Sequence, residues 1–78
     1  MKDDRQRYRI IVTRRGCPDD PPLHDELITT SPLNAEHRAR DIWNERFCMQ
    51  PGRFRLHLRE AGPRGGKGAI VQTIDDLP

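Results

Sequence analysis

The sequence predicts a two-layer α+β sandwich, in which one helix packs on one face of a four-stranded antiparallel sheet. Several short segments alternate polar and apolar residues, as strands with one buried face do. A single segment carries an apolar stripe at helical spacing, and the order of elements along the 78 residues is β-β-α-β-β. The lone helix must bury its stripe against the apolar face of the sheet. A chain of this length is expected to form one domain, 1–78, with frayed ends at 1–6 and 75–78.

The first strand is predicted over residues 7–15, RYRIIVTRR, which alternate with period two and are rich in β-branched side chains. One face of this strand carries Tyr8, Ile10 and Val12, and the other carries Arg7, Arg9, Ile11 and Thr13. Gly16 ends the strand. The inward residues are therefore expected to meet the helix, and the two arginines to face away from it.

An acidic, proline-rich loop is predicted over residues 17–26, because three prolines within GCPDDPP prevent pairing as a central strand. This loop is either a recognition element or an ordinary variable connection. A short second strand follows at about 26–30, ELITT, and Leu27 is assigned to its helix-facing side.

The helix is predicted to begin at Ser31–Pro32, with serine as N-cap and proline at the first helical position. Asn34 is an alternative cap one turn later. Pro51–Gly52 closes the segment. The apolar stripe of the helix consists of Ala35, Ala39, Ile42, Trp43 and Phe47.

The third strand, RFRLHLRE over residues 53–60, places Phe54, Leu56 and Leu58 on the helix side. A glycine-rich connection leads to the fourth strand, AIVQTI over residues 69–74. This last strand is expected to complete the core with Val71, or with Ile70 and Ile74.

The alternation in the third strand leaves a line of basic residues on the face opposite the helix, Arg53, Arg55, His57 and Arg59. Arg7 and Arg9 join this face if the first and third strands are neighbours, and Arg64 and Lys67 extend its rim. Like charges opposed across a sheet are destabilising. The cluster therefore favours an anionic partner, the alternative being a solvated outer face.

The anionic partner could be a phosphate backbone or an acidic protein surface. Sheet-face RNA binders stack bases on exposed aromatic side chains, whereas the four aromatic residues are all predicted to point inward: Tyr8, Trp43, Phe47 and Phe54. A duplex backbone or a protein therefore fits better than a single strand.

Catalytic, metal and cofactor sites are not indicated. The segment 62–68, GPRGGKG, fails as a phosphate-binding loop, because its spacing is one residue short and Gly68 stands where Ser or Thr is required. The cysteines, Cys17 and Cys48, match no metal or redox spacing and are expected to be free thiols. His24, His37 and His57 show no ligand spacing. We expect a protein that is not an enzyme and holds no cofactor.

Membrane insertion and secretion are not expected either. No apolar run exceeds three residues, and the charged N-terminal segment lacks the apolar stretch of a signal peptide. A cytoplasmic location is the expectation. The free edges of an open sheet allow a weak homodimer as well as a monomer.

The β-β-α-β-β order and the segment 26–43, ELITTSPLNAEHRARDIW, resemble very small phage and mobile-element proteins, including anti-CRISPR proteins that act on type I surveillance complexes. The resemblance is one of architecture and implies a non-enzymatic inhibitor that docks on a Cas subunit and obstructs nucleic-acid binding. Some anti-CRISPR proteins are acidic DNA mimics, and the basic strands depart from that pattern.

The sequence is therefore compatible with two functions. The first is a small inhibitor of phage or mobile-element origin that docks through its basic sheet face on a protein or nucleoprotein target. The alternative is a stand-alone module that binds the phosphate backbone of duplex DNA or RNA through the same face.

Overall fold

The computed structural model describes residues 5–17, 19–50, 52–62 and 67–75. For Lys67 it describes the backbone but not the side chain. It has the predicted α+β fold with the β-β-α-β-β order of elements. The helix, Pro32–Ile42, continues directly into a π-helical turn, Trp43–Phe47. The elements are β1 (Gln6–Arg14), β2 (His24–Thr30), α1 (Pro32–Ile42), β3 (Phe54–Ala61) and β4 (Lys67–Ile74).

The four strands form one antiparallel sheet in the order β2-β1-β3-β4. The first and third strands are therefore neighbours at its centre. Ile10 lies opposite Leu58, and Val12 opposite Leu56. Side chains directly opposite each other share a face, so this register aligns the apolar residues of both central strands toward the helix.

The core lies between α1 and that face of the sheet. Ala35 and Ala39 are fully buried, and their small side chains let the helix lie close to the strands. Phe47 packs edge-on against Phe54, with ring centroids 5.1 Å apart. The predicted stripe and the inward strand residues are confirmed as one cluster: Tyr8, Ile10, Val12, Ala35, Ala39, Ile42, Trp43, Phe47, Leu56 and Leu58.

Ser31, and not Asn34, caps the helix. Its Oγ accepts a hydrogen bond of 3.4 Å from the Asn34 backbone N–H, and Pro32 follows in the first turn. At the other end the backbone N–H of Cys48 donates to the Trp43 carbonyl over 2.9 Å. This wider turn keeps both Trp43 and Phe47 buried.

The second strand corrects two predictions. It begins at His24, so Asp25 lies in the sheet and the loop before it is shorter than expected. Leu27 lies opposite Arg9 and is 53% exposed, so its assignment to the core was wrong; Ile28, opposite Tyr8, packs against the core instead. Glu26 also faces the helix, where its carboxylate accepts two hydrogen bonds from Arg38, of 2.8 and 2.9 Å.

The fourth strand is irregular and lies on the sheet edge. Gln72 lies opposite Leu58, but Ile70 already lies opposite Arg59, so Val71 is an extra residue on β4. Of the apolar residues in this strand, Ile74 packs against the core, whereas Ile70 and Val71 are 48% and 43% exposed.

Gln6 and Asp75, at the borders of the segments predicted to fray, have defined positions in the structure. Gln6 is the first residue of β1. Asp75 directly follows β4, and its carboxylate accepts hydrogen bonds from Arg15 and Arg55.

Candidate functional site

The face of the sheet opposite α1, here called the open face, carries the basic residues that the sequence singles out. Its central row runs across all four strands. Leu27 of β2 lies opposite Arg9 of β1, which lies opposite Arg59 of β3, which lies opposite Ile70 of β4. Two arginines therefore occupy the middle of the face, with an exposed aliphatic side chain on either side.

The adjacent row of the open face is Asp25, Ile11, His57 and Thr73. Ile11 is only 5% exposed although it points away from the helix. Long charged side chains cover apolar surface with their aliphatic stems, and Ile11 lies between positions of this kind. The open face is therefore a packed surface of basic and apolar groups.

Two carboxylates partly neutralise the arginines. Asp25 accepts two hydrogen bonds from Arg9, from Nε over 2.7 Å and from Nη2 over 2.8 Å. Asp75 accepts from Arg15 over 2.8 Å and from Arg55 over 3.1 Å. The sequence places these carboxylates in a loop and a fraying tail, but the two edge strands bring them to the open face.

The guanidinium groups in the central row have defined orientations. The hydrogen bond from Arg9 to Asp25 raises the pKa of Arg9 above its ordinary value. Arg59 donates from Nη1 to the Gly68 carbonyl over 3.0 Å. The side chains of Arg9 and Arg59 are therefore held by hydrogen bonds to neighbouring strands in the unbound protein.

His57 lies between Arg55 and Arg59 along β3 and is neutral near pH 7. Its pKa is lowered, first by burial and then by the charges of Arg59 and Arg55, while Asp75 acts in the opposite direction. The positive charge of the open face at pH 7 therefore comes from its arginines.

We expect His57 to make the stability of the fold depend on pH below its ordinary pKa of 6.5. As the pH falls through that value, His57 becomes protonated in the unfolded chain but remains neutral in the folded chain. The free energy of unfolding therefore decreases. The decrease from this group ends once the folded state is also protonated. In urea titrations from about pH 7 to about pH 5, His57→Gln should show a shallower loss of stability than the wild type.

The variant His37→Gln, at an exposed helical position, is the control and should keep the wild-type pH dependence. The hydrogen bond from Arg38 lowers the pKa of Glu26 from its ordinary 4.5, so the contribution of Glu26 is lost only at more acidic pH. A wild-type slope in His57→Gln would contradict the assignment to His57.

The predicted basic residues are not all placed together. Arg7 is exposed on β1, and Arg53 is exposed just before β3, where its carbonyl accepts from the Arg15 N–H over 2.8 Å. Arg64 lies outside the described residues. The backbone of Lys67 pairs with Ala61, and its side chain also lies outside the described part. The predicted members on the strands of the open face are Arg7, Arg9, Arg55, His57 and Arg59.

Two arginines at the end of β1 were missed by the site prediction. Arg14 lies opposite Phe54, and Arg15 is joined to Arg53 by a backbone hydrogen bond. Antiparallel pairing therefore brings the end of one basic strand beside the start of the other. The sequence signal for this cluster is the presence of two arginines in each of two segments, TRR at 13–15 before Gly16 and RFR at 53–55 after Gly52.

Comparison of the chain with protein-family models, curated proteins and solved structures finds no match. Within the described ranges, no cluster of three His, Cys, Asp or Glu side chains could hold a metal ion. No helix in this part of the chain is long and apolar enough to cross a membrane.

Proposed function

We propose that this protein is a small non-enzymatic inhibitor that docks through the open face on an acidic surface of a target protein. The observation that carries the proposal is the central row of two arginines flanked by exposed leucine and isoleucine. The buried core of a protein–protein interface is more apolar than the rest of the surface, and arginine is enriched at interfaces.

The flanking aliphatic residues favour a protein over a nucleic-acid duplex. Leu27 and Ile70 are 53% and 48% exposed on opposite sides of the row. A phosphate backbone would use the arginines but would offer these side chains little apolar surface. A protein with carboxylates surrounded by apolar residues would bury both kinds of group.

The internal ion pair supports docking by limiting its entropic cost. Arg9 is held by two hydrogen bonds to Asp25. Ordering a flexible side chain at an interface costs about 0.5–1.5 kcal/mol. An arginine that is already oriented avoids part of this loss and offers a fixed surface to the target.

Small size, the β-β-α-β-β order and a basic docking face support inhibition by steric occlusion. We extend the proposal to a target class, a subunit of a type I CRISPR surveillance complex. The bound protein would obstruct the access of target nucleic acid to that subunit.

The first test measures binding to purified subunits of type I surveillance complexes by biolayer interferometry. We expect Arg59→Glu, and separately the double variant Leu27→Ser/Ile70→Ser, to raise the Kd by about 30-fold or more, since central interface residues contribute about 2 kcal/mol or more. Arg40→Glu and Leu33→Ser, at exposed positions on α1, are the matched controls and should bind as the wild type does.

A wild-type Kd in both open-face variants would refute docking through this face. Absence of binding to every subunit would refute the proposed target class. Circular dichroism of each variant separates loss of binding from loss of folding.

The second candidate function is binding to a duplex phosphate backbone, which the arginines at the end of β1 and the start of β3 favour. It predicts binding to a labelled duplex that weakens steeply with salt. In that case Arg59→Glu would reduce affinity while Leu27→Ser/Ile70→Ser would leave it unchanged, which distinguishes the two functions.

A further inference from the structure

A cleft of about 400 Å³ lies at the end of the sheet where β1 finishes and β3 begins. This volume is within the range of small-molecule sites. Its lining contains three arginines, an amide, a glycine and an aromatic ring: Arg14, Arg15, Gln50, Gly52, Arg53 and Phe54.

The turns around the cleft place the backbones of Arg14, Arg15 and Arg53 side by side. Gly16 and Gly52 both have φ of +79°, a left-handed conformation that glycine adopts without strain. Between these turns, the Arg15 N–H donates to the Arg53 carbonyl over 2.8 Å, and the Arg53 N–H donates to the Gln50 carbonyl over 3.3 Å. The arginines thus project from a hydrogen-bonded backbone frame.

Positive charge exceeds negative charge at this end of the sheet. Asp75 bridges Arg15 and Arg55. In the part of the chain that the structure describes, the exposed side chains of Arg14 and Arg53 form no ion pair or hydrogen bond. Among the residues that the structure describes, no acidic side chain lines the cleft. An anion bound there would meet two guanidinium groups that have no carboxylate to displace.

We propose that this cleft binds the dianionic phosphate of a phosphomonoester, such as a mononucleotide or sugar phosphate, or free inorganic phosphate. Guanidinium groups bind phosphate oxygens through paired, charge-assisted hydrogen bonds. A dianion balances two unpaired arginines, whereas a single carboxylate leaves one of them unbalanced. This site is separate from the central row of the open face and does not depend on the proposed docking function.

The test is a titration followed by isothermal calorimetry and by ¹H–¹⁵N NMR shifts, with inorganic phosphate, adenosine monophosphate and acetate as probes. We expect saturable binding of at least one phosphate probe, and binding of acetate at least about 10-fold weaker. Arg14→Gln and Arg53→Gln should each weaken phosphate binding about 10-fold or more, as expected for losing a charge-assisted hydrogen bond.

Two controls make the outcome specific. Arg40→Gln, on the exposed side of α1, and Arg59→Glu, in the central row, should both bind phosphate as the wild type does. Binding of inorganic phosphate but not adenosine monophosphate would identify free phosphate as the ligand. Binding of both probes would show that the cleft accepts a phosphomonoester. If only the docking function fails, these results are unaffected.

Three results would overturn the proposal. The first is a linear, non-saturating response to both phosphate probes. The second is equal weakening by Arg40→Gln and Arg53→Gln, which would indicate general charge attraction. The third is tighter binding of a duplex without terminal phosphates that requires Arg14 and Arg53, which would assign the cleft to the diester backbone.

Discussion

Replacement of Leu58 by alanine is expected to lower the free energy of unfolding by about 3 kcal/mol, within the range of about 2–5 kcal/mol for buried leucines. Leu58 has no solvent exposure and lies in β3, opposite Ile10 and Gln72 on the two neighbouring strands. Its truncation removes apolar contact with the helix layer and leaves a cavity that a central strand cannot easily close. A chain of this size has about 4–12 kcal/mol of stability in total, so the effect is large.

Urea unfolding of the wild type, Leu58→Ala and Leu33→Ala measures the difference. Leu33 is a leucine on α1 that is 62% exposed, so its truncation should change stability by about 0.5 kcal/mol or less. A loss below about 1 kcal/mol in Leu58→Ala would mean that β3 does not pack under the helix, and the two-layer arrangement would be wrong.

The central strands and the helix could be predicted from the sequence because their patterns are unambiguous. In β1, Tyr8, Ile10 and Val12 alternate with Arg9, Ile11 and Thr13, and only the face of Tyr8, Ile10 and Val12 is apolar throughout. The helix can be recognised from its apolar stripe and from the cap at Ser31. Local chemistry and burial point to the same structure in these segments.

The second strand was less predictable because two apolar residues, Leu27 and Ile28, are adjacent. A shift of one residue exchanges the two faces of a strand, so composition alone cannot decide which of them is buried. The decision comes from pairing with β1, where Ile28 lies opposite Tyr8, and from Glu26, which reaches Arg38 on the helix side.

The charge pattern of the open face depends on contacts between distant segments. Asp25 and Arg9 are separated by 16 positions, and Asp75 and Arg15 by 60. Nothing local in the sequence pairs them. The sheet order places the two carboxylates on the edge strands or directly after them, flanking the arginines of the central strands. This arrangement reduces the repulsion that the basic stripe alone would create.

The cleft was missed for the same reason. Arg14 and Arg53 are far apart in the chain and become neighbours only through the antiparallel pairing of β1 with β3. Strand alternation assigns side chains to faces, but it does not reveal which strand ends meet. The arginines at the strand ends therefore appeared in the sequence as separate runs.

Replacement of Gly68 by alanine is expected to lower the free energy of unfolding by about 1–3 kcal/mol, the usual effect of forcing a side chain into packed structure. A Cβ atom at Gly68 would lie 2.5 Å from the backbone oxygen of Glu60 and 3.2 Å from its carbonyl carbon. These are backbone atoms of β3, so they cannot move aside as a flexible side chain would. The first half of β4 must shift instead, and the hydrogen bond from Arg59 to the Gly68 carbonyl would be strained.

Gly62→Ala is the matched control, since a Cβ atom there meets nothing within 4 Å and should leave stability nearly unchanged. Urea unfolding gives the energy, and hydrogen exchange of the β4 amides locates the change. Faster exchange confined to β4 in Gly68→Ala would show that Gly68 fixes the irregular pairing that presents Ile70 beside Arg59. Equal stability of the two variants would mean that β4 does not approach β3 this closely, and the position of Ile70 in the central row would then have to be abandoned.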